Sequence, residues 1–118
     1  MKKIILLISI VFISCETQKS DIIDLFNAEN DPDVSCYRIP SIITAVNGDL
    51  IAMIDERVPS CGDLKWSRDI NIVMRKSFDN GKNWTDIETI VDYPLGQSAS
   101  DPSMILDKKT NTIFMFYN

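Results

Sequence analysis

"SFDNGKNW", residues 77 to 84, is the stretch whose reading decides the fold. It lies between two β-prone runs, "INIVMRKS" (70–77) and "WTDIETIV" (84–91), and its residue types make a turn for local reasons. Asp79 can accept backbone N–H bonds within the turn, Gly81 permits a positive φ, and Trp84 offers a large apolar body to pack between strands. A hairpin is predicted.

Upstream, "SIITAV" and "LIAMID" flank a turn containing Asn47-Gly48, a strong hairpin signal. Downstream, "PSMILD" and "TIFMFY" flank "KKTN" and open a third hairpin. No segment has the spacing of an amphipathic helix. The predicted fold is all-β: an antiparallel meander interrupted by one long excursion at residues 55 to 68. Pro40 to Val91 holds four strands, the content of one propeller blade, and the remainder supplies half of another. One and a half blades cannot close a ring. The last residues, "FMFYN", end inside an apolar strand, so the expectation is the front piece of a longer protein, inactive and poorly folded by itself.

The first residues belong to no fold. "MKK" and then "IILLISIVFI" form a basic start and an apolar stretch too short to span a bilayer comfortably, which reads as a secretion signal over residues 1 to 14. The stretch ends in "FISC", which resembles the lipobox of bacterial lipoproteins, with Cys15 as the lipidated residue and Phe12 a loose match. The resemblance implies an exported protein held by a lipid in the bacterial cell envelope, in the periplasm or at the cell surface. Residues 15 to 34 are acidic and polar apart from "IIDLF" and read as a tether, with "IIDLFNA" (22–28) as a candidate lone strand. Residues 35 to 118 form the folded part.

Loss of residues 1 to 14 removes Lys2 and Lys3 and no acids, so the net charge moves from −5 to −7. An acidic chain argues against nucleic acid as a partner and requires a local arginine cluster for any anionic ligand. The absence of histidine excludes His-based triads and His-ligated zinc, and there is no Gly-rich phosphate loop. Nothing in the sequence requires a metal or cofactor. With Cys15 lipidated, Cys36 and Cys61 are left either to pair in an oxidising compartment or to stay as buried thiols, since sequence gives no distance between them.

"CYRIPSII" (36–43) sets Arg38 at the mouth of an apparently buried strand. A guanidinium, cationic at any biological pH, sits in such a place to meet water, a structural carboxylate or an anionic ligand. Asp33 and Asp55 are the candidate structural partners. In "DERVPSCGD", Arg57 ends the second strand and Asp63 follows six residues later in the long loop. "SASDPSMILD" (98–107) places Asp101 before a proline, where the plain reading is a turn.

Taken together, Tyr-Arg-Ile-Pro, Asp-Glu-Arg, a loop aspartate, the Ser-x-Asp-x-Gly-x-x-Trp pattern and Asp-Pro resemble the exo-sialidase family in order and spacing, over residues 22 to 118. Within the resemblance, Ser77, Asp79, Gly81 and Trp84 form an Asp box, a structural turn of six-bladed β-propellers. Arg38 would be one of three arginines that clamp the sialic acid carboxylate, a task suited to a planar, bidentate fork. Arg57 and Asp101 would bind the O4 region of the sugar, and Asp63 would be the general acid and base, with Asp69 as its fallback.

The implied activity is release of terminal sialic acid from glycoproteins, glycolipids and oligosaccharides with retention, through a tyrosine nucleophile paired with a glutamate. A neutral tyrosine avoids the repulsion that the substrate's carboxylate would exert on an anionic nucleophile. That pair and two clamp arginines would lie beyond these residues; Tyr37, Tyr93 and Tyr117 occupy the wrong places. The alternatives are a surface lipoprotein that binds glycans on an Asp-box propeller without hydrolysis, and a structural propeller module.

Overall fold

A computed structural model describes residues 22–63 and 66–118. The signal segment, Cys15 and the first part of the tether lie outside the described residues. The chain forms six strands: β1 (Cys36–Thr44), β2 (Leu50–Val58), β3 (Asp69–Ser77), β4 (Glu88–Val91), β5 (Ser103–Asp107) and β6 (Thr112–Phe116). β1 to β4 make a four-stranded antiparallel sheet in sequence order, and β5 pairs with β6 in a second sheet. This is the all-β architecture expected, one four-stranded blade and half of the next.

Each hairpin turn has a local cause. At residues 45–49 the Gly48 N–H donates to the Ala45 carbonyl at 3.0 Å and Gly48 takes φ 92°. At residues 77–84, Asp79 Oδ1 accepts the Asn83 N–H at 2.8 Å, Ser77 Oγ accepts the Gly81 N–H at 2.8 Å, and Gly81 has φ 84°. The half-buried Trp84 donates its indole N–H to the Gly81 carbonyl at 3.1 Å, closing the turn from its far side. Thr85 then bonds back to Lys76 of β3, its N–H donating to the Lys76 carbonyl at 2.9 Å and its hydroxyl oxygen accepting the Lys76 N–H at 3.0 Å, and β4 begins at Glu88.

The core lies between the two sheets. Met53, Ile72, Met74 and Ala99 are buried together, flanked by Ile51, Ile90 and Val91 from the first sheet and Met104 and Met115 from the second. The backbone also joins the layers, since the Ala99 N–H donates to the Ile70 carbonyl at 2.8 Å and the Gly96 N–H to the Arg68 carbonyl at 2.9 Å. Cys36 and Cys61 are joined as a disulfide with Cα atoms 5.6 Å apart. Closing a loop over a separation of 25 residues restricts the unfolded chain by roughly 3.5 kcal/mol on the chain-entropy account.

Two details depart from the sequence reading. β1 is an edge strand and not a buried one, with Ile39 and Ile42 exposed. Residues 22–28 form no strand: the Asn27 side chain accepts the Glu29 N–H at 2.8 Å and bends the chain into a short 3-10 turn, Ala28–Asn30. This segment is more than a tether. Phe26 lies against Tyr37, ring centroids 5.6 Å apart, and under the Arg75 guanidinium at 6.0 Å, while Val34 is buried.

Candidate active site

The edge position of β1 explains where Arg38 goes. The ladder between β1 and β2 breaks between Arg38 and Ser41, and Ile39 inside that bulge has φ 57°. A β-branched residue in the left-handed region is strained, and a bulge of this kind re-aims the side chain beside it. Arg38 pairs with Asp55 in backbone register, yet its side chain leaves the sheet for the loop after β2. There Nη1 donates to the Cys61 carbonyl at 3.0 Å and to Asp63 Oδ1 at 3.1 Å. Neither Asp33 nor Asp55 is its partner. The side chain remains 41% exposed, so the guanidinium can also be reached from solvent.

Arg57, at the end of β2, meets the same oxygen. Its Nη1 donates to Asp63 Oδ1 at 3.0 Å and to the Gly62 carbonyl at 2.6 Å, and its Nη2 donates to Asp55 Oδ2 at 2.8 Å. Its side chain is 3% exposed, and each terminal nitrogen donates to a protein acceptor. It stands behind Asp63. Burial pulls the guanidinium's affinity for its proton down, but the bonds to Asp63 and Asp55 outweigh this and raise it.

Asp63 is exposed, and its carboxylate is held below the ordinary range by the Arg57 bond first and the Arg38 charge next. A single carboxylate oxygen shared by two guanidiniums is an anion at neutral pH. To donate a proton, it must first lose part of that support.

Asp101 follows the inter-sheet segment, exposed, with φ 60° just before Pro102. Its N–H donates to Asp55 Oδ1 at 2.9 Å, and its Oδ2 accepts from the Asn118 side chain at 3.0 Å. Asp55 is thereby the centre that the sequence reading missed. Fully buried, it holds Arg57 with one oxygen and the Asp101 turn with the other. Burial pushes its carboxyl up, against the pull of Arg57 and the Asp101 N–H. Its neighbourhood in "IDER" was visible; its contact with a residue 46 positions away was not.

Arg38, Arg57, Asp63 and, through Asp55, Asp101 therefore belong to one constellation. Asp69, the fallback acid, does not join it: it begins β3 with Oδ1 buried and unpartnered among the described residues. Ser77, Asp79, Gly81 and Trp84 lie at the other end of β3 and are purely structural in their contacts.

The chain is similar to curated sialidases. It is 29% identical over 92 residues to a sialidase of Bacteroides fragilis, covering 72% of this chain and 16% of that protein. It is 34% identical over 87 residues to a sialidase of Micromonospora viridifaciens, covering 69% and 12%. Among solved structures, the leech intramolecular trans-sialidase complexed with 2,7-anhydro-Neu5Ac superposes with a TM-score of 0.70 at 26% identity, over 83% of this chain and 17% of that one. No family model matches. The chain thus spans less than one fifth of the length of these relatives and carries part of a sialidase-type β-propeller.

Proposed function

We propose that these residues are the first sector of an exo-α-sialidase that removes terminal sialic acid from glycoconjugates with retention. The observation that carries the reading is the meeting of Arg38 and Arg57 on one oxygen of the exposed Asp63, 3.1 and 3.0 Å away. Two cations beside a loop carboxylate, one of them open to solvent, make a site for an anionic sugar next to an acid.

In this scheme the substrate carboxylate takes the open fork of Arg38 as one part of a three-arginine clamp. Its arrival does two things to Asp63: it neutralises Arg38 and adds a negative charge nearby. Both raise the Asp63 carboxyl, so that it holds a proton when the glycosidic oxygen is in reach. As the bond from the anomeric carbon to that oxygen breaks, the proton passes from Asp63 to the leaving alcohol. The second step reverses the role: Asp63 removes a proton from the water that attacks the anomeric carbon. Asp101 offers a carboxylate to the O4 hydroxyl, and Arg57 acts by holding Asp63. The tyrosine nucleophile, its glutamate and two further clamp arginines belong to the remainder of the propeller.

The complete polypeptide assayed with a fluorogenic sialoside tests this. Turnover should fall at least about tenfold in kcat/KM in Arg38→Lys, because an ammonium cannot replace the bidentate fork. Sialoside binding without turnover would favour the glycan-binding alternative, and absence of both would end the reading.

Export and lipid anchoring through Cys15 belong to the same proposal and rest on the sequence of residues 1 to 15 alone. Incorporation of labelled fatty acid into the complete protein, lost in Cys15→Ser, is the expected result; equal labelling of both would refute it.

A further inference from the structure

We propose that the Cys36–Cys61 disulfide is a latch that positions the loop carrying Asp63, so that both cysteines are positioning residues of the reaction. The kinetic part of this inference rests on the sialidase reading; the structural part does not.

The bond joins two short stretches that each bear a site residue. Cys36 opens β1 two positions before Arg38, and Cys61 precedes Asp63 by two. Among described residues 59–63 and 66 of the loop no side chain is buried. Among the described residues its ties to the sheet end, besides the disulfide, are guanidinium bonds, from Arg38 to the Cys61 carbonyl and Asp63 and from Arg57 to the Gly62 carbonyl and Asp63, together with buried Ser67, whose N–H donates to the Asp63 carbonyl and whose hydroxyl donates to the Val58 carbonyl at 3.3 Å.

Two of the four guanidinium bonds come from Arg38, the group that a substrate carboxylate would claim. Without the disulfide, the stretch from Cys61 to Asp63 would lose its Arg38 bonds at the moment its acid is needed. A covalent link is indifferent to that exchange of charge and keeps Asp63 within reach of the sugar.

The test is reduction of the complete, folded protein with dithiothreitol. Two electrons and two protons pass from the dithiol to the cystine, leaving two thiols and the cyclic oxidised reagent. Cys36→Ser with Cys61→Ser provides a permanent counterpart. With the latch open, kcat/KM for a sialyl oligosaccharide, which reports the first step alone, should fall at least tenfold. An aryl sialoside with an acidic phenol as leaving group needs little protonation in that step, and its kcat/KM should fall less than threefold.

Equal losses on both substrates, or none, would overturn the positioning role. Independently of activity, the amides of Trp66 and Ser67, which donate to the Asp63 carbonyl at 2.7 and 3.0 Å, should exchange with deuterium at least tenfold faster, while β2 and β3 stay protected. Unchanged exchange refutes the latch. A protein that in its oxidised form cleaves neither substrate refutes the sialidase reading instead, and the exchange result still decides the latch.

Discussion

Asp55 Oδ1 accepts the backbone N–H of Asp101 at 2.9 Å, tying the second strand of the first sheet to the turn that leads into the second sheet. The other carboxylate oxygen of Asp55 holds the buried Arg57 at 2.8 Å. One side chain with no solvent exposure therefore sets both the cation behind Asp63 and the backbone that presents Asp101.

Removal of Asp55 should accordingly be costly in a graded way. Asp55→Ala leaves the buried Arg57 guanidinium with Asp63 as its one remaining carboxylate partner and the Asp101 N–H without an acceptor, a loss of about 2–4 kcal/mol. Asp55→Asn keeps one acceptor and the side-chain shape, so about 1–2 kcal/mol is expected. Urea unfolding of the complete protein measures both, and an alanine variant no less stable than the asparagine one would contradict the arrangement.

The ion pairs on Asp63 predict a particular pH behaviour. The free protein holds its carboxyl low, chiefly through Arg57 and then Arg38, whereas bound substrate cancels the Arg38 charge. A general acid loses activity as pH rises through its pKa, and kcat/KM reports the free protein while kcat reports the complex. The alkaline limb assigned to Asp63 should therefore lie at lower pH in kcat/KM than in kcat. Coincident limbs would show that substrate does not displace the Arg38 interaction.

Most of the fold was legible because it is local. Asn47-Gly48 and Asp79 with Gly81 announce their turns, and the β-prone runs beside them pair in order. What sequence hides is what strands do at a distance. β1 starts at Cys36 rather than near Ser41 because a bulge at Ile39 lets the Tyr-Arg pair join the ladder. Proximity in the sequence points Arg38 to Asp33 or Asp55, whereas the loop brings Asp63 to it. The disulfide was an open question for the same reason, since 25 residues of chain carry no record of a 5.6 Å approach. Asp55 reads as one more polar residue of a strand until Asp101 is placed beside it.

Gly62 tests how tightly the loop must sit. A Cβ at this position would stand 2.7 Å from Trp66 Cβ and 3.3 Å from Ser60 Oγ, so the backbone must shift. The Gly62 carbonyl bonded by Arg57 would move with it, and Asp63 is the next residue. Gly62→Ala is expected to lower kcat by about 10–100-fold, the range associated with a misplacement near 1 Å. Stability should fall only by about 1–3 kcal/mol. A variant with wild-type kcat would show that the loop relaxes without moving the acid.

The turn at residues 77–84 gives the last prediction, on acid stability. Asp79 is held down to about 2 from 3.8, first by the Asn83 backbone N–H and then by the Asn83 side-chain amide. Because the folded value is the lower one, this contribution is fully present above pH 3.8 and is lost as pH falls toward 2. Asp79→Asn keeps an acceptor for the Asn83 N–H but cannot titrate. The stability gap between wild type and this variant should therefore be constant above about pH 5 and shrink progressively below pH 4. Thermal melts of both proteins across pH 2 to 7 measure it, and a gap independent of pH would mean that the Asp79 charge contributes nothing to the turn.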